Sequence, residues 1–219
     1  MKKLVIFDLD GTLLDSLADL AASVNHALAR HGYPTHELAS YKHFVGSGIY
    51  KLLERALPEG ERTSENVARL KTDFMAYYAL HQADYTTPYP GILPLLQRLK
   101  QQGTRLAVAS NKYHSATEAL VCHYFGKDYF DHVYGQREGI PVKPDPTIVF
   151  DILQDARVDQ AETLYVGDSG VDMQTALRAG VESVGVLWGF RERAELLAQG
   201  ACHLAETPAD ILQWIKKQF

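Results

Sequence analysis

The run Leu4-Val5-Ile6-Phe7 ends abruptly at Asp8-Leu9-Asp10-Gly11-Thr12. A short apolar run without polar alternation suits a strand covered on both faces. The same texture recurs at Arg105–Ala109, Thr163–Val166 and Ser183–Leu187. Between the last three runs lie helical patterns: Thr117, Leu120, Val121 and Tyr124; Ile148, Val149, Ile152 and Leu153; then Val171, Ala176, Leu177 and Ala179. Strand alternating with helix predicts an α/β chain built on a doubly wound parallel sheet. With 219 residues, 46% of them hydrophobic, the chain can bury the core such a sheet needs.

Residues 16–85 break the alternation. They carry helical periodicity (Leu17, Leu20, Ala21, Val24, Leu28; later Leu70, Phe74, Tyr77, Tyr78, His81) and no run that reads as a strand. The expected organisation is therefore a core formed by 1–15 and 86–219, with 16–85 inserted as a small α-helical cap. Thr87-Pro88-Tyr89-Pro90-Gly91 stiffens the return, so the two connections at the edge of the cap are expected to act as a hinge.

Composition removes several classes of function. Lys and Arg number 22 against 27 Asp and Glu, a formal charge of −5, which leaves no basic surplus for a nucleic-acid backbone. No apolar stretch approaches the roughly 20 residues that span a bilayer, and Asp8 and Asp10 interrupt the one segment that imitates a signal peptide. Cys122 and Cys202 form no CxxC, which fits a reducing cytoplasm, and both are expected to be small buried residues. Lys216-Lys217 closes an expected last helix over 208–217, where cations favour a helix C-terminus.

The chemistry gathers at strand ends. Asp8 and Asp10, two apart on an extended chain, point to one side, and two carboxylates so close need a cation or a shared proton. Gly11 permits a turn at the sheet edge where open α/β folds place ligands. Gly167-Asp168-Ser169-Gly170-Val171-Asp172 likewise follows a strand and opens a helix. If the two strands are neighbours, Asp8, Asp10 and Asp168 converge into an oxygen-donor set that suits Mg²⁺ better than zinc. Ser110-Asn111 and Lys143, in Val142-Lys143-Pro144, are candidate phosphate donors. Each segment alone also reads as an ordinary acidic turn, helix cap or helix entry.

In that order, Asp8-Leu9-Asp10-Gly11-Thr12, Ser110, Lys143 and Gly167-Asp168 with Asp172 resemble the four motifs of haloacid-dehalogenase-superfamily phosphatases, over essentially the whole chain. The resemblance implies that Asp8 attacks phosphorus, while Asp10 protonates the leaving oxygen and later activates water. It implies Mg²⁺ held by Asp8, the Asp10 backbone carbonyl and Asp168, with Asp172 orienting these ligands, and a phosphoryl group held by Ser110 and Lys143. Dehalogenases and phosphonate-cleaving members resemble the pattern less, because they lack an acid at the position of Asp10.

Phe44-Val45-Gly46-Ser47-Gly48, Leu52 and Arg55-Ala56-Leu57 resemble the cap segment of phosphoglycolate phosphatases; Asn111-Lys112 and Trp188-Gly189-Phe190 also fit that group. The implied substrate contacts are Thr12, Gly46, Gly48, Arg55 and Asn111. Lys51 and Arg55 share a helix face that could read a small carboxylate or be merely a solvated basic face. No histidine pair has metal-ligand spacing; His114 is the one expected to approach substrate. The expectation is a cytoplasmic Mg²⁺-dependent phosphatase of a small phosphorylated metabolite, 2-phosphoglycolate first, acting as monomer or homodimer without nucleic-acid or membrane partners. A pyrophosphatase, a sugar-phosphate phosphatase, a β-phosphoglucomutase-like phosphomutase and a noncatalytic phosphate-binding regulatory module remain alternatives.

Overall fold

The computed structural model describes residues 1–215. In chain order the elements are β1 (Leu4–Phe7), β2 (Leu14–Asp15), α1 (Leu17–Arg30), α2 (Leu38–Phe44), α3 (Gly48–Ala56), α4 (Ser64–His81), β3 (Thr87–Pro88), α5 (Ile92–Gln101), β4 (Arg105–Tyr113), α6 (His114–Phe125), β5 (His132–Gln136), α7 (Thr147–Ala156), β6 (Thr163–Gly167), α8 (Gly170–Ala179), β7 (Glu182–Val186), α9 (Arg193–Ala198) and β8 (His203–Ala205).

β1 is apolar throughout because it lies inside a six-stranded sheet of order β5-β4-β1-β6-β7-β8, in which every pairing is parallel. Period-2 alternation divides its side chains between two cores. Val5 and Phe7 pack with Leu96 of α5 and Leu120 of α6, while Leu4 and Ile6 pack with Val149 of α7 and Ala176 of α8. Register then positions the chemistry. Phe7 stands beside Val108 of β4 on one side and Val166 of β6 on the other. Asp8 and Asp168, just past their strands, and Ser110, farther along β4, therefore come to one edge of the sheet, where the strand order reverses.

Helices α1–α4 share a further apolar cluster that includes Leu28, Tyr41, Leu53, Leu70 and Tyr78. β2 and β3 pair antiparallel where this helical segment meets the sheet, with Leu14 opposite Pro88 and Asp15 opposite Thr87. The buried Asp19 carboxylate in the first turn of α1 accepts from the backbone N–H groups of Tyr85 and Thr86, at 3.0 and 2.8 Å, and so ties the outgoing and returning chains together.

Several local expectations change. Ser110, Asn111 and Lys112 lie within β4, which runs to Tyr113 with a register irregularity after Ala109, and not in a turn beyond it. The edge strands β5 and β8 lacked an apolar signature because their residues are largely half-buried. Cys122 and Cys202 are exposed, not buried: one lies on the outer side of α6, the other just before the edge strand β8. The last element is a 3-10 helix over Pro208–Trp214, with a reciprocal Thr207/Asp210 cap; Lys216-Lys217 lies outside the described residues.

Candidate active site

A cavity opens at the C-terminal edge of the sheet beneath the α1–α4 helices. Asp8, Asp10, Ser110, Lys112, Asp168 and Arg191 line it from the sheet side, and Leu20, Leu52, Phe74 and Tyr78 from the helical side. Its volume of about 50 Å³ exceeds the roughly 10–15 Å³ that a single water needs, so the cavity suits a small ligand.

Asp8 is its charged centre. Its Oδ1 accepts from the backbone N–H of Leu9 at 2.7 Å and lies 3.0 Å from Lys143 Nζ. Carboxylate oxygens of Asp8, Asp168 and Asp172 all lie within 4.8 Å of one another, and all three residues are buried. Burial, reinforced by the charge of Asp172, pushes the Asp8 carboxyl up to about 7. The same causes hold Asp168 well above the usual carboxylate range. Three buried carboxyls beside one ammonium lack positive charge, and an all-oxygen donor set supplies what a hard divalent cation takes.

Lys143 is the counter-charge. Burial works against its ammonium, but Asp172 at 2.7 Å and Asp8 outweigh that cost and hold its pKa well above the ordinary lysine value. The Ala109 carbonyl and the Tyr165 hydroxyl accept its remaining hydrogen bonds, at 2.8 and 3.1 Å. Asp172 is fully occupied: Oδ1 meets Lys143 and Tyr165, while Oδ2 accepts from the backbone N–H and hydroxyl of Ser169 in a reciprocal cap of α8. Asp168 accepts from Phe190 N at 2.8 Å, so the loop after β7 orients it. Gly11, at φ +87°, allows the close approach: a Cβ there would stand 2.3 Å from Asp168 Oδ2.

Asp10 turns away from this cluster. Its carboxylate accepts from Ser16 Oγ at 2.5 Å and from Lys112 Nζ at 3.0 and 2.9 Å. Its side chain therefore belongs beside the cavity, not among the clustered carboxylates, although the sequence reading groups it with the metal set.

The expected substrate contacts divide. Gly46 and Gly48 line the cavity, both at positive φ. Asn111 lines it too, but its amide is spent on structure: Oδ1 accepts from Lys143 N at 2.8 Å, and Nδ2 donates to the carbonyls of Lys143 and Gly46, each at 3.0 Å. Thr12 is fully buried with its hydroxyl toward Asp168 Oδ1 at 3.4 Å. Arg55 does not reach the cavity: its guanidinium donates to Phe44 O at 2.9 Å and Ser47 Oγ at 3.1 Å, bracing the loop that contains Gly46. Lys51, its expected companion, pairs with Glu54 instead. His114 accepts from Gly135 N at 3.2 Å and does not line the cavity.

Lys112, Tyr78 and Arg191 line the cavity although sequence reasoning placed none of them among the site residues. Lys112 had a readable signal, since a lysine that continues an apolar central strand is buried and needs a carboxylate partner. Arg191 had none; it crosses to the helical segment, donating to the carbonyls of Lys42 and Val45.

A parallel α/β sheet carrying buried acidic and lysine groups on adjacent strand ends, under an inserted helical segment, defines a hydrolase class. Residues 5–186 match the haloacid dehalogenase-like hydrolase family, and the chain belongs to it. Within that family it is a phosphoric monoester hydrolase of the phosphoglycolate phosphatase-like kind. It is 36% identical over 197 residues to the phosphoglycolate phosphatase of Pseudomonas putida, covering 87% of this chain and 71% of that one. To the enzyme of the same name from Mesorhizobium japonicum it is 33% identical over 194 residues, covering 88% and 86%. A crystal structure from Lactobacillus delbrueckii subsp. bulgaricus, provisionally named a phosphoglycolate phosphatase, superposes over 100% of both chains with a TM-score of 0.93 at 34% identity. Among the described residues no helix is long and apolar enough to cross a membrane.

Proposed function

We propose that the protein is a Mg²⁺-dependent phosphatase of a small carboxylate-bearing phosphate monoester, 2-phosphoglycolate first, working through an aspartyl phosphate on Asp8. The observation that carries this reading is the environment of Asp8: a carboxylate at the cavity floor, 3.0 Å from a buried ammonium and beside two further carboxylates. A nucleophile meeting a phosphate dianion needs in-line positioning and balancing positive charge.

Asp8 and Asp168, with the Asp10 carbonyl, would hold Mg²⁺, and Asp172 would orient the set from behind. The bound cation would neutralise charge on the phosphoryl oxygens as it moves between esters. Lys143, 3.0 Å from Asp8, would lend its positive charge to the same oxygens, and Ser110 would bond one of them. Asp8 attacks phosphorus; Asp10 gives its proton to the departing alkoxide, then takes one from the water that hydrolyses the aspartyl phosphate. Helices α1–α4 serve as the cap, pivoting where β2 meets β3, and their apolar side chains exclude bulk water.

The test is phosphate release from a panel of small phosphorylated metabolites with and without Mg²⁺, run beside Asp8→Asn. The expected result is a preference for 2-phosphoglycolate, metal dependence, and a phosphorylated Asp8 peptide on acid quenching. Isotope-labelled water should enter the released phosphate; retention of the phosphoryl group on an organic product would make the protein a mutase.

A further inference from the structure

Two polar groups of the cavity have no part in phosphoryl transfer. Tyr78, on α4, is wholly buried and lines the cavity; its hydroxyl has the Lys112 ammonium beside it as a donor but no acceptor for its own proton among the described residues. Burial pushes the phenol's pKa up, so the hydroxyl remains a donor at neutral pH. Leaving a buried hydroxyl unpaired weakens the folded protein unless a ligand completes it. Lys112 is the second group: its Nζ stands 4.8 Å from the centre of the Tyr78 ring, donates to both carboxylate oxygens of Asp10 and acts on the Tyr78 hydroxyl, so ammonium and phenol form one donor site.

Their position relative to Asp10 says what they would meet. Asp10 serves the oxygen that leaves with the alcohol, so its neighbours Lys112 and Tyr78 stand on the leaving-group side. Resting on the function proposed above, the geometry points to Tyr78 and Lys112 as the residues that read the leaving group. They select an alcohol that carries a carboxylate on the carbon bonded to the departing oxygen.

The physical case has three parts. A carboxylate on the leaving group needs a counter-charge where that group departs, and Lys112, 2.9 Å from Asp10, supplies it there. The surrounding walls, Leu20, Leu52, Phe74 and Phe190, are apolar, so an anion entering this space finds its partners in Tyr78 and Lys112 or loses its hydration without replacement. Of the other nearby cations, Arg55 braces the Gly46 loop outside the cavity, and Arg191 is anchored by the carbonyls of Lys42 and Val45. A neutral alcohol would leave the Tyr78 hydroxyl proton as unpaired as it is in the free protein, which sets the discrimination.

The experiment measures kcat/KM of the full-length enzyme, Tyr78→Phe and Lys112→Met on 2-phosphoglycolate and on ethyl phosphate, which lacks the carboxylate. The readout is the ratio between substrates, since loss of Lys112 also disturbs Asp10 and depresses both. In each variant the ratio is expected to fall at least tenfold. Tyr78→Phe should unfold at about the temperature of the parent, because the hydroxyl's proton has no acceptor to lose and no gap is left. A ratio that stays within threefold of the parent's in Tyr78→Phe overturns the subsite and leaves the phosphatase reading intact. A parent enzyme that cleaves both esters equally removes the substrate assignment and the subsite together.

Discussion

Lys143 Nζ lies 3.0 Å from Asp8 Oδ1, with both side chains almost closed to solvent, so the candidate nucleophile and its counter-charge are one buried unit. Lys143→Ala would leave Asp8 and Asp172 facing each other without a cation. Removing one partner of a buried pair typically costs about 3–5 kcal/mol. Denaturant unfolding of the metal-free variant is expected to show a loss of that order together with loss of phosphatase activity. A variant as stable as the parent would mean that water already screens the pair.

Asp10→Asn separates acid–base chemistry from electrostatics. General acid–base help is worth about 10²–10⁴ in rate, and aryl phosphates need little of it because their leaving groups depart unprotonated. Turnover of an alkyl ester is expected to fall by that factor, and turnover of an aryl ester by much less. Equal losses on both would reduce Asp10 to an anchor for Lys112 and Ser16.

The pH dependence of stability follows from Asp8. Its carboxyl titrates at about 7 in the folded chain, against 3.8 as the ordinary value. Between those limits the folded state holds a proton that the unfolded state has released, so the stability of metal-free protein falls as pH rises through the interval. Mg²⁺ needs the deprotonated carboxylates, so the stabilisation it confers should grow over the same range. Thermal unfolding between about pH 5 and pH 8, with and without Mg²⁺, checks both slopes. Asp8→Asn is expected to reduce the metal-free slope, Asp168 supplying what is left, and an unchanged slope in that variant would place the titration elsewhere.

Arg55→Ala tests the bracing role. Two hydrogen bonds to the Phe44–Ser47 loop disappear, at a net cost of about 1–3 kcal/mol. Cleavage of 2-phosphoglycolate and of ethyl phosphate should fall in parallel as the loop loosens. Selective loss on the carboxylate substrate would restore Arg55 as a direct reader of the leaving group.

How much was legible in the sequence can be argued from particular residues. Asp8 and Asp168 were readable because each follows an apolar run, and in a parallel sheet such runs end at one edge, while Lys143 was readable as a cation held in a stiff Pro-flanked loop. The alternation of apolar strands with amphipathic helices made the parallel sheet equally readable. Residues whose role depends on a distant partner were different. Arg55 looked like a substrate reader because helix spacing says which face a side chain shares, but not that carbonyls of the preceding loop would claim its guanidinium. Asn111 was singled out for substrate and instead clasps the Lys143 and Gly46 segments. The two cysteines were expected to be buried from composition alone, and their actual exposure depends on how α6 and the approach to β8 lie on the core.

Local sequence, then, determined the strands, the helices and the order of acidic and basic groups along them, because periodicity and turn chemistry act over a few residues. Tertiary structure decided which charges meet. Parallel register sets Phe7 between Val108 and Val166 and so brings Asp8 to Asp168. Lys112 meets Asp10 across 102 positions, and Tyr78 is left with no acceptor for its hydroxyl proton in the cavity they share. Such encounters arise from packing two layers of helices on one sheet and one helical segment over its edge, and no window of sequence contains both partners.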